Sequence, residues 1–166
     1  MNNMIIGFSR ANSCWAFGSQ TIRISEKREF SHAYIRYMDP TTGIQIVAQA
    51  SHGFVNEMNY DIFKKHNIIC EEYELVCNPE QFVDVLKFIK THLGVKYSKS
   101  QIILLAIKKI IKFEINEYNK DKEFICSEFA ARVCQIAKIT VPTYLDYFTP
   151  SDLNTLIKDI KLLRIT

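Results

Sequence analysis

The stretch FSHAYIRYM-DPTTG-IQIVAQAS, Phe30 to Ser51, decides how the chain folds. Phe30 to Met38 is rich in aromatic and β-branched residues, which suit a pleated, half-buried surface. Asp39 to Gly43 is turn chemistry, with Pro40 and Gly43 at the corners. Ile44 to Ser51 then reads as a return strand, so the stretch predicts an antiparallel hairpin. His32 lies in the first strand between Ser31 and Ala33, and Gln49 interrupts the apolar run IVAQA of the second. Pairing about residue 41 sets 32 near 50, with 49 one step away. An imidazole inside a strand must find partners for its ring nitrogens. An amide oxygen in the neighbouring strand supplies one, and the other nitrogen is left to face a nucleophile.

Outward from the hairpin, Met4 to Phe8 is a short buried strand, and GFVNEM (53–58) and Cys70 to Val76 are two more. Helices follow. The run from Asn78 to Gly94 has Asn78 as N-cap and Pro79 at the first helical position. Val83, Leu86, Phe88, Ile89 and Leu93 recur there at helical spacing. KSQIILLAIKKIIKFEI (99–115) predicts a second helix, apolar over most of its surface. Cys126 to Lys138 predicts a third, and TPSDLNTLIK (149–158) a short fourth with Asp152 in its first turn. Ile160 to Ile165 is placed as a closing strand. Strands precede helices without βαβ alternation, so the expected class is α+β, an antiparallel sheet packed against helices. No repeat or Pro/Gly/Ser linker divides the chain, and residues 1–166 read as one domain.

Bulk composition narrows the function. The formal charge of +3 is mild and evenly spread, and Lys108, Lys109 and Lys112 have the spacing of a solvated helix face, so no nucleic-acid partner is expected. Five cysteines without a CxxC pair argue against a disulfide framework and a structural zinc site, and free thiols suit a reducing compartment. The longest apolar run, Ile102 to Ile107, falls far short of the roughly 20 residues of a membrane span. The N-terminus shows no basic region followed by a long apolar run. A cytoplasmic protein is therefore expected, virion-associated if phage-encoded; the oligomeric state is left open.

Two cysteines compete as nucleophile. SCWAFG (13–18) matches the papain-type signature at Cys14, but that pattern wants its histidine about 130–150 residues downstream. All four histidines, His32, His52, His66 and His92, come too early, and Gly18 interrupts the helix that should follow. Cys14 and Trp15 read as packing residues. Cys126 follows the apolar pair Phe124 and Ile125 and opens an amphipathic helix with Glu128 in its first turn. A helix N-terminus favours negative charge, so a thiolate forms most readily there. Most free cysteines are buried small hydrophobes, a description that fits Cys134 better.

FSHAYIRY, IVAQASHGFVNEMNYDIF, LGVKYS, FICSEFAARV and YFTPSDL, in that order, resemble the circularly permuted papain-like amidases, the YiiX-like relatives of the NlpC cell-wall peptidases and of lecithin retinol acyltransferase. In that family the histidine strand precedes the cysteine helix, as His32 precedes Cys126. The resemblance implies thiol-dependent hydrolysis or acyl transfer at an amide or ester, with Cys126, His32 and Gln49 as the catalytic set. Relatives often carry Glu where this chain has Gln49; an amide orients the imidazole without adding charge. Tyr97 matches a recurrent aromatic on the substrate side, and His52 is the alternative orienting residue. The implied activity is a cysteine amidase or peptidase, with peptidoglycan stem peptides as one substrate class. A lipid-directed thioesterase or acyltransferase and an inactive binding module are the alternatives. None of these needs a metal or cofactor; the partner is a peptide, amide or acyl-ester substrate.

Overall fold

The structure, a computed structural model, describes residues 3–12, 29–97, 123–142 and 148–166. The expected hairpin forms from β2 (His32–Met38) and β3 (Gln45–Ser51). Asp39 closes its turn by accepting from the N–H groups of Thr41 and Thr42 at 2.8 and 3.3 Å. Gly43 ends it at φ +69, a conformation that costs glycine little.

β1 (Asn3–Ala11) flanks β2, and β5 (Asn67–Val76) flanks β1. On the other side β3 pairs with β4 (Phe54–Asn59), followed by the two-residue strands β6 (Lys96–Tyr97) and β7 (Glu123–Phe124). The order is β5-β1-β2-β3-β4-β6-β7, antiparallel throughout except for the parallel β6-β7 pair. Among the described residues the helices are α1 (Tyr60–His66), α2 (Pro79–His92), α3 (Cys126–Ile136) and α4 (Pro150–Asp159). The fold is α+β, a largely antiparallel sheet packed against helices.

Successive strand residues point to opposite faces, and both faces of the central strands are covered. Ala33 to Tyr37 and Val47 to Ala50 are therefore buried without a break. One face carries Met4, Ile6, Phe8, Ala33, Ile35, Ala48, Ala50 and Leu75, packed with Val85 and Ile89 of α2, Phe129, Ala130 and Val133 of α3, and Leu153 and Ile157 of α4. The alanines of β2 and β3 face the small residues of α3, which lets that helix sit close on both strands. The opposite face carries Tyr34 and Val47 against Phe63 of α1. Gly7 belongs to this face because the Tyr34 ring occupies the space its side chain would fill: a Cβ there would lie 2.1 Å from Tyr34 Cζ.

Helix α2 starts at the expected cap, with the Asn78 side chain accepting from Gln81 N–H and the Gln81 side chain answering to Asn78 N–H. Its inward stripe matches the expected one at Ile89, with Leu86 and Phe88 partly buried against the core, and departs from it elsewhere. Phe82, Val85 and Ile89 are buried, whereas Val83 is 61% and Leu93 41% exposed. Ile160 to Ile165 does not close as a strand. The tail makes one isolated bridge, Arg164 to Tyr73, and single backbone bonds along the outer edge of β5, such as Glu74 N–H to Leu163 C=O at 2.8 Å. Helix α1 was not expected from the sequence, nor were β6 and β7. The helix expected over 99–115 lies outside the described residues, as do Cys14 and Trp15. Among the described residues no helix is long and apolar enough to cross a membrane.

Candidate active site

His32 and Gln49 meet. The register pairs Ile35 with Ala48, which extrapolates to 34 opposite 49 rather than the expected 32 near 50. This is one residue from the expected register, which set 33 opposite 49, and the step brings His32 and Gln49 to the same face as diagonal neighbours. His32 Nε2 lies 2.6 Å from Gln49 Oε1. The β2-β3 ladder runs from Met38↔Gln45 to Ile35↔Ala48. Beyond it His32 pairs backbone with Ser9 of β1, and Gln49 with Asn56 of β4. The side-chain bond thus spans the place where the two central strands part.

The His32 ring packs 6.5 Å from the ring of Phe63. Its pKa is lowered from 6.5 to about 4, chiefly because burial disfavours the charged ring; the Gln49 bond opposes this, and the nearby His52 adds to it. The imidazole is therefore neutral near pH 7. Since Gln49 Oε1 can only accept, Nε2 carries the proton and Nδ1 keeps its lone pair. His52 itself sits in the exposed β3-β4 turn at φ +52, its Nδ1 3.2 Å from Ser51 Oγ. The orienting bond to His32 comes from Gln49, not His52.

Cys126 is the first residue of α3. Strand β7 runs into it through Ile125, whose N–H donates to Glu128 Oε2 at 3.2 Å, and Ser127 Oγ donates to the Phe148 carbonyl. These bonds fix the start of the helix, where the dipole favours an anion. Helix α3 packs against both β2 and β3, on the face opposite His32 and Gln49. The His32–Gln49 pair and the core-packed side of the Cys126 helix thus lie on opposite faces of β2 and β3. Cys126 is only 3% exposed. Tyr97 enters the same neighbourhood through its backbone, since β6 runs parallel to β7 with Tyr97 beside Phe124; its side chain lies outside the described residues.

Asn56 and Phe63 escaped the sequence reading. Asn56 was legible as a polar residue in phase with Gln49 across β4. The helix carrying Phe63 had a cap in Asn59, whose side chain accepts from Asp61 N–H, an acid in its first turn and Lys64, Lys65 and His66 in its last. The open groove lined by Tyr37, Pro40, Val83 and Leu86 is at the other end of β2, roughly 16 Å of strand away, and includes none of these residues. Among the described residues no cluster of three or more His, Cys, Asp or Glu side chains could hold a metal ion. No protein-family model and no curated protein sequence matches the chain.

Proposed function

We propose that this protein is a cysteine-dependent acyl hydrolase, an amidase or peptidase on a circularly permuted papain-like fold. The observation that carries the reading is the His32–Gln49 bond, which holds a neutral imidazole with Nδ1 as its basic atom beside the strands that support the Cys126 helix. In the proposed reaction Nδ1 takes the Cys126 thiol proton as the sulfur attacks a substrate carbonyl. The first-turn N–H groups of α3 stabilise the oxyanion. His32 returns the proton to the leaving amine, giving a thioester on Cys126, and water activated at Nδ1 hydrolyses it. Gln49 keeps the ring aligned without adding charge. Amide-linked peptides, including peptidoglycan stem peptides, are the first substrate class; acyl esters of lipids are the alternative for the same steps.

Incubation with a panel of peptide amides and lipid acyl esters, followed by mass spectrometry of the intact chain, tests this. The reading expects an acyl adduct on Cys126 with at least one class, absent in Cys126→Ala. A second reading, a binding module on the same fold, is favoured by the near-complete burial of Cys126. It expects no adduct with either class, and retention of a ligand by Cys126→Ala.

A further inference from the structure

We infer that Asn56 is a positioning residue: through Gln49 it fixes which nitrogen of His32 carries the proton. The chain of bonds has a direction. Asn56 Nδ2 lies 3.2 Å from the Ser51 carbonyl, 3.1 Å from the Phe54 carbonyl and 3.1 Å from Ser51 Oγ. Carbonyl oxygens accept and cannot donate, so the atom facing both must be the amide NH2. Its carbonyl end, Oδ1, is thereby turned to Gln49, whose Nε2 donates to it at 3.3 Å and contacts Met58 Sδ at 3.7 Å. With its NH2 spent on that side, Gln49 presents Oε1 to His32, at 2.6 Å. Rotating the Gln49 amide by half a turn would set its oxygen against the Asn56 oxygen and its NH2 against a ring nitrogen. That arrangement loses one buried bond and forces the other ring tautomer.

Two backbone carbonyls of the β3-β4 turn thus determine, through two amides, that Nε2 is protonated and Nδ1 is the base. Gln49 alone would not do so, because an amide can face the ring with either end; a carboxylate there would need no such control. Asn56 touches neither the ring nor Cys126's helix in this relay, and it acts only through Gln49. The consequence for catalysis rests on the hydrolase reading, but the tautomer itself does not.

Long-range 15N NMR of the His32 ring at neutral pH reads the tautomer directly. The wild-type chain is expected to show the Nε2–H form in excess, with the ratio of the two tautomers read from the averaged ring shifts. Asn56→Ala should lower the ratio of the two tautomers by about fivefold or more, the worth of one hydrogen bond. Asn56→Ser, which keeps one donor and one acceptor, should restore it. In a Gln49→Glu background Asn56→Ala should leave the pattern unchanged, since either carboxylate oxygen accepts from Nε2–H. An Nδ1–H ring in the wild type would overturn the inference whether or not the variants fold, as would an unchanged ratio in Asn56→Ala or an equal change in the Gln49→Glu background. Alkylation of Cys126 measured on the same samples separates the two claims: a wild-type chain with the Nε2–H form and an inert Cys126 defeats the hydrolase reading and leaves the relay standing.

Discussion

The His32 ring donates to Gln49 Oε1 at 2.6 Å across a gap between strands whose ladder has already ended at Ile35↔Ala48. A side-chain bond does there what the backbone does along the rest of the hairpin. Because Gln49 is uncharged, its bond raises the ring's pKa too little to offset burial. Gln49→Glu places an opposite charge on Nε2 and is expected to raise the His32 pKa from about 4, whereas Gln49→Leu removes the bond and leaves the ring at least as acidic. Titration of the His32 ring protons by NMR reads both shifts; coincident titrations in the two variants would show that the bond does not control the ring.

Burial of a neutral histidine also makes folding depend on pH. The folded pKa, about 4, lies below the ordinary 6.5, so the unfolded chain takes up the proton first as pH falls. This contribution to stability is fully present above pH 6.5 and is lost between 6.5 and about 4. The residue keeps a partly exposed edge, so its contribution is about 3 kcal/mol at most. Denaturant unfolding should lose stability over that window, and His32→Gln should flatten the slope. An equal slope in His32→Gln would assign the acid sensitivity to other groups.

The local rules of the sequence carried much of this architecture. The hairpin was legible because Asp39 to Gly43 is turn chemistry between two β-rich runs, and α2 because Asn78 and Pro79 mark its start. His32 and Gln49 were legible as a pair because each is a polar side chain flanked by alanine in a β-rich run, on strands joined by a clear turn. Their diagonal register was not, since both faces of β2 and β3 are buried and the apolar pattern leaves a one-residue step open. Helix α1 was missed because a seven-residue segment with Phe63 as its one buried side chain has almost no periodicity to read. Ile160 to Ile165 looked like a strand by composition, yet an edge with few backbone bonds does not register as one. Which face α3 covers is a tertiary fact that no local pattern contains.

Gly7 is required for packing. Tyr34 crosses it, and the phenol is held by a bond to Glu72 at 2.8 Å, so the ring cannot swing aside without abandoning that carboxylate. Gly7→Ala should cost about 3 kcal/mol, the upper part of the range for overpacked cores. Gly43→Ala, with open space around it but a left-handed backbone, should cost about 1 kcal/mol. Equal losses for the two, measured by denaturant unfolding, would contradict the close approach.

Glu72 anchors the face that holds His32. It accepts from Arg36 Nε at 3.0 Å and from an Arg36 terminal nitrogen at 2.8 Å, from Tyr34 Oη at 2.8 Å and from Tyr60 Oη at 3.2 Å. Arg36 also stacks 4.4 Å from the Tyr60 ring centre, which ties α1 to the sheet. Removing one member leaves a buried charge uncompensated, so Arg36→Met should cost about 3–5 kcal/mol. The double variant Arg36→Met with Glu72→Leu should recover a large part of that loss. If the double variant is as unstable as the sum of the singles, the two residues do not act as a buried pair.

The most direct test of the central claim is labelling by a peptidyl chloromethyl ketone at neutral pH, with the modified residue located by mass spectrometry in wild type, Cys126→Ala, Cys14→Ala and His32→Ala. A nucleophilic Cys126 assisted by His32 predicts a single adduct on Cys126, lost in Cys126→Ala, undiminished in Cys14→Ala and slowed by about a hundredfold in His32→Ala. An adduct on Cys14 that survives Cys126→Ala, or labelling of Cys126 at the same rate without His32, would contradict it.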